Sequence, residues 1–111
     1  MRAKAKQPPI LPPLDEDGLL LDPRTWNESV ARLLAAHHGV GPLGAEHWLV
    51  IDSLRAHYAR FGAAPAMIQV CKLHGHDRHW VHRLFETCLN AWRVAGLPNP
   101  GEEAKAYLSN G

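Results

Sequence analysis

The chain has 111 residues, 46% of them hydrophobic and 21% charged, with a formal net charge of +1. That is one domain's worth of ordinary globular composition, which excludes wholesale disorder, and the even charge balance argues against nucleic acid or an anionic membrane as partner. No run approaches the ~20 apolar residues of a membrane span, and Cys71 and Cys88, the two cysteines, are too few to staple a secreted scaffold.

Residues 1–13 hold Arg2, Lys4, Lys6 and four prolines, and read as a mobile lead-in. They lack the apolar stretch and cleavage site of a secretory signal, so the expected setting is the cytoplasm with reduced thiols. Asp15-Glu16-Asp17-Gly18 is a turn signal, because glycine accepts positive φ and Asp side chains bond the nearby backbone. A short hairpin around it is open, but Pro12 and Pro13 remove ladder donors on the incoming side.

Four helices follow. The first presents Trp26, Val30, Leu33 and Leu34 on one face and stops at Gly39. Trp48, Ile51, Leu54, Tyr58 and Phe61 predict a second, closed by Gly62. Pro65 suits the first turn of a third, which carries Ile68 and Cys71 and ends near Gly75, with Leu73 left open as a further apolar position. Asp77 is the expected N-cap of a long fourth helix with the stripe Val81, Leu84, Phe85, Cys88, Trp92 and Ala95. Gly96-Leu97-Pro98 then reads as a left-handed C-cap followed by a proline stop. Whether Glu102 to Leu108 adds a last turn is open, since so short a helix persists only when docked. The fold class is therefore mainly α: a small single-domain helical bundle with a C-terminal arm.

Most apparent motifs have plain explanations. Gly39, Gly41 and Gly44 match the spacing of a dinucleotide-binding fingerprint, but they follow a helix instead of a strand, and Pro42 removes an amide. His74, His76, His79 and His82, with Cys71, carry spacings that zinc can use. These residues straddle a helix, a loop and another helix, and Val81 rather than His82 is in phase with the buried stripe, so a polar turn is the expectation and no metal is assigned. Cys71 and Cys88 fall on apolar faces, where thiols behave as small inert hydrophobes. The second and third helices, joined at Gly62, resemble a helix-turn-helix pair, yet the third offers DNA only Gln69 and Lys72.

Taken together, the ordered pieces resemble the DsrC/TusE family of sulfur-relay proteins. The likeness begins at Leu14-Asp15-Glu16-Asp17-Gly18-Leu19-Leu20 and continues through Trp26, Val30-Ala31 and Leu34-Ala35. It is strongest at Glu46-His47-Trp48-Leu49-Val50-Ile51, then Leu54-Arg55, Tyr58, Phe61 and Pro65-Ala66, with Lys72 in register. It closes on Leu84-Phe85 and Ala95-Gly96-Leu97-Pro98-Asn99-Pro100. The resemblance covers residues 14–100 as the domain, with residues 101–111 as a tail.

The resemblance implies a helical fold with an N-terminal hairpin and a mobile C-terminal arm whose next-to-last residue is a cysteine that carries persulfide sulfur. TusE-type members pass sulfur toward tRNA 2-thiolation, from TusBCD to the MnmA thiolase. DsrC-type members work with dissimilatory sulfite reductase and DsrEFH-type proteins, and have a second cysteine four residues before the Gly of Gly-Leu-Pro. This chain has Glu103 at the first position and Trp92 at the second. A carboxylate cannot hold a persulfide. The family's Leu-Phe-Pro-x-Gly-Pro has become Leu84-Phe85-Glu86-Thr87-Cys88-Leu89, which lets the fourth helix run on through a former loop.

The expectation is a non-catalytic adaptor or regulator without cofactor, membrane or nucleic acid. It would bind sulfur-transfer partners through Arg55, Lys72, Gly96, Leu97, Pro98 and Pro100. The alternative is an active persulfide carrier, in tRNA thiolation or sulfur oxidation, that uses Cys88 or Cys71 and so acts as a sulfurtransferase component. A DNA-binding regulator built on the helix pair is a further alternative.

Overall fold

The structure is a computed structural model that describes residues 10–109. Most of the lead-in expected over residues 1–13 thus lies outside the described residues. Of its end, Ile10 is exposed and Leu11 already packs on the core. The Asp15 turn forms as the residue types predict. Asp15 Oδ1 accepts from the amides of Asp17 and Leu19 at 2.8 and 3.0 Å, and Gly18 takes φ +80°. The hairpin is reduced to one antiparallel bridge, Leu14 to Leu20, since a ladder beyond it would need the amides that Pro12 and Pro13 lack. Leu19 and Leu20 are buried beneath the turn.

Among the described residues, a 3-10 turn at Pro23–Thr25 precedes six α-helices: α1 (Glu28–His37), α2 (Ala45–Phe61), α3 (Met67–Leu73), α4 (Trp80–Phe85), α5 (Cys88–Val94) and α6 (Glu102–Ser109). Asn27 caps α1 by accepting from the Val30 amide at 2.9 Å, and Gly62 ends α2 in the left-handed region at φ +66°. The Gly39–Gly44 segment is the loop between α1 and α2. The core side chains of α1 are Val30, Ala31, Leu34 and Ala35, while Leu33 is only partly buried.

Two stripes differ from the sequence expectation. In α2 the buried residues are Val50, Ile51 and Leu54, whereas Trp48 and Tyr58 lie at the core's margin and Phe61 is exposed. In α3 the core face is Met67, Val70 and Cys71, while Ile68 and Leu73 face solvent. A seven-residue helix holds too few apolar positions for periodicity to choose its face.

The long fourth helix is instead two. Glu86 adopts φ +73°, and Thr87 restarts the chain as an N-cap, its Oγ1 accepting from the Asn90 amide at 3.0 Å. Asn90 then donates its Nδ2 to the Phe85 carbonyl at 2.9 Å, closing the end of α4 from inside the core. A β-branched hydroxyl residue contributes more as a cap than in a helix interior, so the helix breaks at Glu86 instead of running on to Leu89. The N-cap of α4 is His79 rather than Asp77, which turns the chain two residues earlier by accepting from the His79 amide at 2.8 Å. The apolar stripe survives the break: Val81, Phe85, Cys88, Trp92 and Ala95 are all buried, with Leu84 partly so.

The second of these short helices, α5, is the hub of the bundle, packing on α1, α2, α4 and α6. His47 ties α2 to α4: its Nδ1 accepts from the Gly44 amide at 3.0 Å, which leaves Nε2 to donate to the Leu84 carbonyl at 3.0 Å. Among the described residues, no helix is long and apolar enough to cross a membrane.

Candidate functional site

The region singled out in the sequence, Gly96 to Pro100, leaves the C-terminus of α5. Helix ends leave carbonyls without partners, and here two long-range side chains supply them. Trp26 Nε1 donates to the Val94 carbonyl at 2.9 Å, and Arg55 Nη1 donates to the Ala95 carbonyl at 2.7 Å. The Arg55 guanidinium lies over the Trp26 ring, 3.8 Å from its centroid, a cation–π contact that locks both donors. Burial lowers the Arg55 pKa from its ordinary value, partly opposed by Asp52. Gly96 has φ +71°, and a Cβ there would overlap the Trp26 indole. Leu97 is buried, and the Pro98 carbonyl accepts from Trp92 Nε1 at 2.7 Å.

Arg55, Gly96, Leu97 and Pro98 therefore form one connected anchor, with Pro100 beyond it half-buried. Trp92 belongs to that anchor as a fully buried side chain with its indole nitrogen satisfied. Glu103, on the first turn of α6, is exposed. Lys72, in the last turn of α3, is also exposed.

Residues past Pro100 do not trail away. They form α6, which the sequence left open, and it is docked at three points. Leu108 is fully buried, Tyr107 Oη accepts from the Met67 amide at 2.9 Å, and Lys105 Nζ bonds Asp17 Oδ2 at 2.7 Å. Glu102, one turn back, also meets Lys105 at 2.8 Å. The two carboxylates hold Lys105 protonated well above its ordinary range. The Asp17 side of this clamp is invisible in sequence, because the partners stand 88 residues apart. The i,i+3 pair of Glu102 and Lys105 was the available signal.

Both thiols are buried and free. Burial, and secondarily Cys71, pushes the Cys88 thiol up to about 11. At neutral pH Cys88 is therefore held as the thiol, whereas the thiolate is the form that attacks sulfur. Cys88 is nonetheless not sealed on every side: it lines a cleft between α3, α4, α5 and α6.

The histidines disperse. His74 Nε2 meets Ser53 Oγ at 2.8 Å, and His76 stacks on Trp80 with ring centroids 4.1 Å apart. His79 Nε2 accepts from Arg78 Nε at 3.4 Å, and His82 is exposed. Among the described residues, no three His, Cys, Asp or Glu side chains converge as a metal site would require. The helix pair also forms, but the solvent side of α3 is Ile68, Gln69, Lys72 and Leu73, half of it apolar. Trp26, read as a helix-face residue, acts instead as a cap for α5, and no local pattern marks that role.

Comparisons with known proteins converge on this arrangement. The family model described as DsrC like protein matches residues 11–102. The sulfurtransferase TusE of Salmonella choleraesuis is 33% identical over 95 residues, which cover 78% of this chain and 86% of that protein. The TusE of Escherichia coli is 30% identical over the same length. The crystal structure of the oxidized gamma-subunit of dissimilatory sulfite reductase (DsrC) from Archaeoglobus fulgidus superposes with a TM-score of 0.71 at 33% identity, covering 81% of this chain and 90% of that one. A chain in the structure of dissimilatory sulfite reductase I gives 0.72 at 29% identity, covering 81% and 88%. The family match ends at residue 102, so nearly all of α6 lies beyond it.

Proposed function

The chain belongs to the DsrC/TusE family of sulfur-relay proteins, and from that premise we propose that it docks on sulfur-transfer partners without carrying sulfur itself. The observation behind this is the chemistry at the two relay positions. Glu103 offers a carboxylate, which forms no persulfide, and Trp92 is a buried indole spent on the Pro98 carbonyl. Docking is supported by the geometry of the expected contact residues: Gly96, Leu97, Pro98 and Pro100 stand on an anchor braced by Arg55, and Lys72 is exposed on α3. Partners of this reading are the sulfur-transfer proteins of TusBCD or DsrEFH type, or sulfite-reductase subunits, in the cytoplasm. The protein then acts as an adaptor or as a competitor for their docking sites. It is no enzyme in this role and needs no cofactor.

A second reading has one observation in its favour. The relatives are named sulfurtransferases, and Cys88 borders a cleft, so it is the thiol to which sulfur would have access. Its protonated state and its place on a helix weigh against it, since a relay cysteine has to ionise and to reach a partner.

One experiment separates the two. The full chain is incubated with a persulfurated sulfurtransferase and weighed by intact-protein mass spectrometry, beside Cys71→Ser and Cys88→Ser variants. The adaptor reading expects no added sulfur, together with stable co-purification of a relay partner. An added sulfur that disappears in Cys88→Ser would overturn it in favour of the carrier.

A further inference from the structure

The cleft between α3, α4, α5 and α6 has a division of chemistry that the relay reading does not use. Its inner surface is apolar: Met67, Cys88 and Leu108 line it and are each at most 5% exposed. Its outer lining carries Arg78, His79 and His82, all exposed. Every lining residue of basic type is at this mouth, and among the described residues no carboxylate lines the cleft. Asp77, the acidic neighbour of Arg78 in sequence, is committed to Arg83 through two 3.1 Å bonds.

The cleft encloses about 540 Å³, within the range of small-ligand pockets. One wall is fixed by the bond from the Met67 amide to Tyr107 Oη. His79 accepts from Arg78 at Nε2, which leaves its Nδ1 as a donor. The Cys88 thiol stays neutral at physiological pH and so does not oppose an anion. Tyr107 and Leu108 come from α6, past the residues that the family model matches.

We propose that this cleft binds a small organic anion, a carboxylate or sulfonate on a short aliphatic body. The body lies on Met67, Cys88 and Leu108, and the anionic head meets Arg78, His79 and His82. Apolar walls with a few placed polar groups are the usual division between affinity and orientation in such sites. A planar guanidinium is the side chain best suited to a carboxylate or sulfonate head. This proposal is independent of whether the protein carries sulfur.

The test is a titration of the full-length chain, followed by methyl and amide NMR, with four probes of one chain length: hexanoate, hexanesulfonate, hexanol and hexylammonium. Both anions are expected to bind saturably and to shift the signals of Met67, Ile68 and Leu108. Their affinity should exceed that of hexanol by about fivefold, the share of one charge-assisted contact at a solvent-facing site. Arg78 is exposed, so Arg78→Ala leaves the core intact and should remove that advantage, while Arg78→Glu should invert it toward hexylammonium. Equal binding of the four probes would overturn the proposal. So would an Arg78→Ala variant that keeps the preference for anions, or shifts confined to the hollow between α2 and α3 around Ala56 and Val70.

Discussion

Gly96 shows how one residue type can be required twice at one position. Its φ of +71° lies in the left-handed region, and the space a Cβ would take is filled by the Trp26 indole. Gly96→Ala therefore adds backbone strain to overpacking and should cost about 2–5 kcal/mol, read as a lower urea midpoint at unchanged slope. His38 makes a second, pH-dependent prediction. Its Nε2 donates to the Gly18 carbonyl at 3.1 Å, and burial, with Arg93 and His37 nearby, lowers its pKa below the ordinary 6.5. As pH falls through 6.5 the unfolded chain takes up this proton before the folded one does. His38's contribution to stability is thus complete above that value and is lost as the pH drops toward its folded pKa. Thermal unfolding between pH 7 and 5 should show a smaller acid loss in His38→Gln than in the parent.

The element that changes the picture most is α6. An isolated helix of eight residues does not persist in water, so its stability is tertiary: Leu108 in the core, Tyr107 on Met67 and Lys105 on Asp17. Leu108→Ala should cost about 2–4 kcal/mol of docking. Hydrogen exchange should then report early loss of protection over α6, with α5 retained. Uniform protection loss across the bundle would mean instead that α6 and the core unfold together. The break between α4 and α5 has the opposite origin. It rests on local chemistry, the Thr87 cap and the Asn90 side chain, and its signal was present in the sequence as a Thr three residues before an Asn. The continuous stripe from Val81 to Ala95 concealed it, because both helices bury the same face.

At the scale of the molecule, the bundle keeps its thiols inside and anchors the segment that follows α5. Cys71 and Cys88 are both buried, and Cys88 is held protonated. Labelling of the native protein by a maleimide at neutral pH should be at least ~100-fold slower than labelling of the chain in denaturant, because Cys71 is buried and Cys88 is held as the thiol. Fast labelling of Cys88 alone would show that α6 opens readily and would favour the carrier reading. The anchor joins α2, α5 and the segment before α1 through Arg55, Trp26 and Gly96, so the chain leaves α5 toward Pro100 along a path held by three side chains from distant positions.

The sequence by itself determined the helical class, the Asp15 turn, the left-handed stop at Gly96 and the absence of a cysteine at Glu103 and Trp92. Each is a matter of residue type at one position or of a period sustained over a long helix, and both are local. Only the tertiary structure decided which face of α3 is buried, that Trp26 and Arg55 complete the end of α5, and that the tail docks. Those outcomes rest on contacts between residues tens of positions apart, such as Lys105 with Asp17 and Tyr107 with Met67. The cleft over Cys88 belongs with them, because four helices have to meet before an apolar floor and a basic mouth become one site.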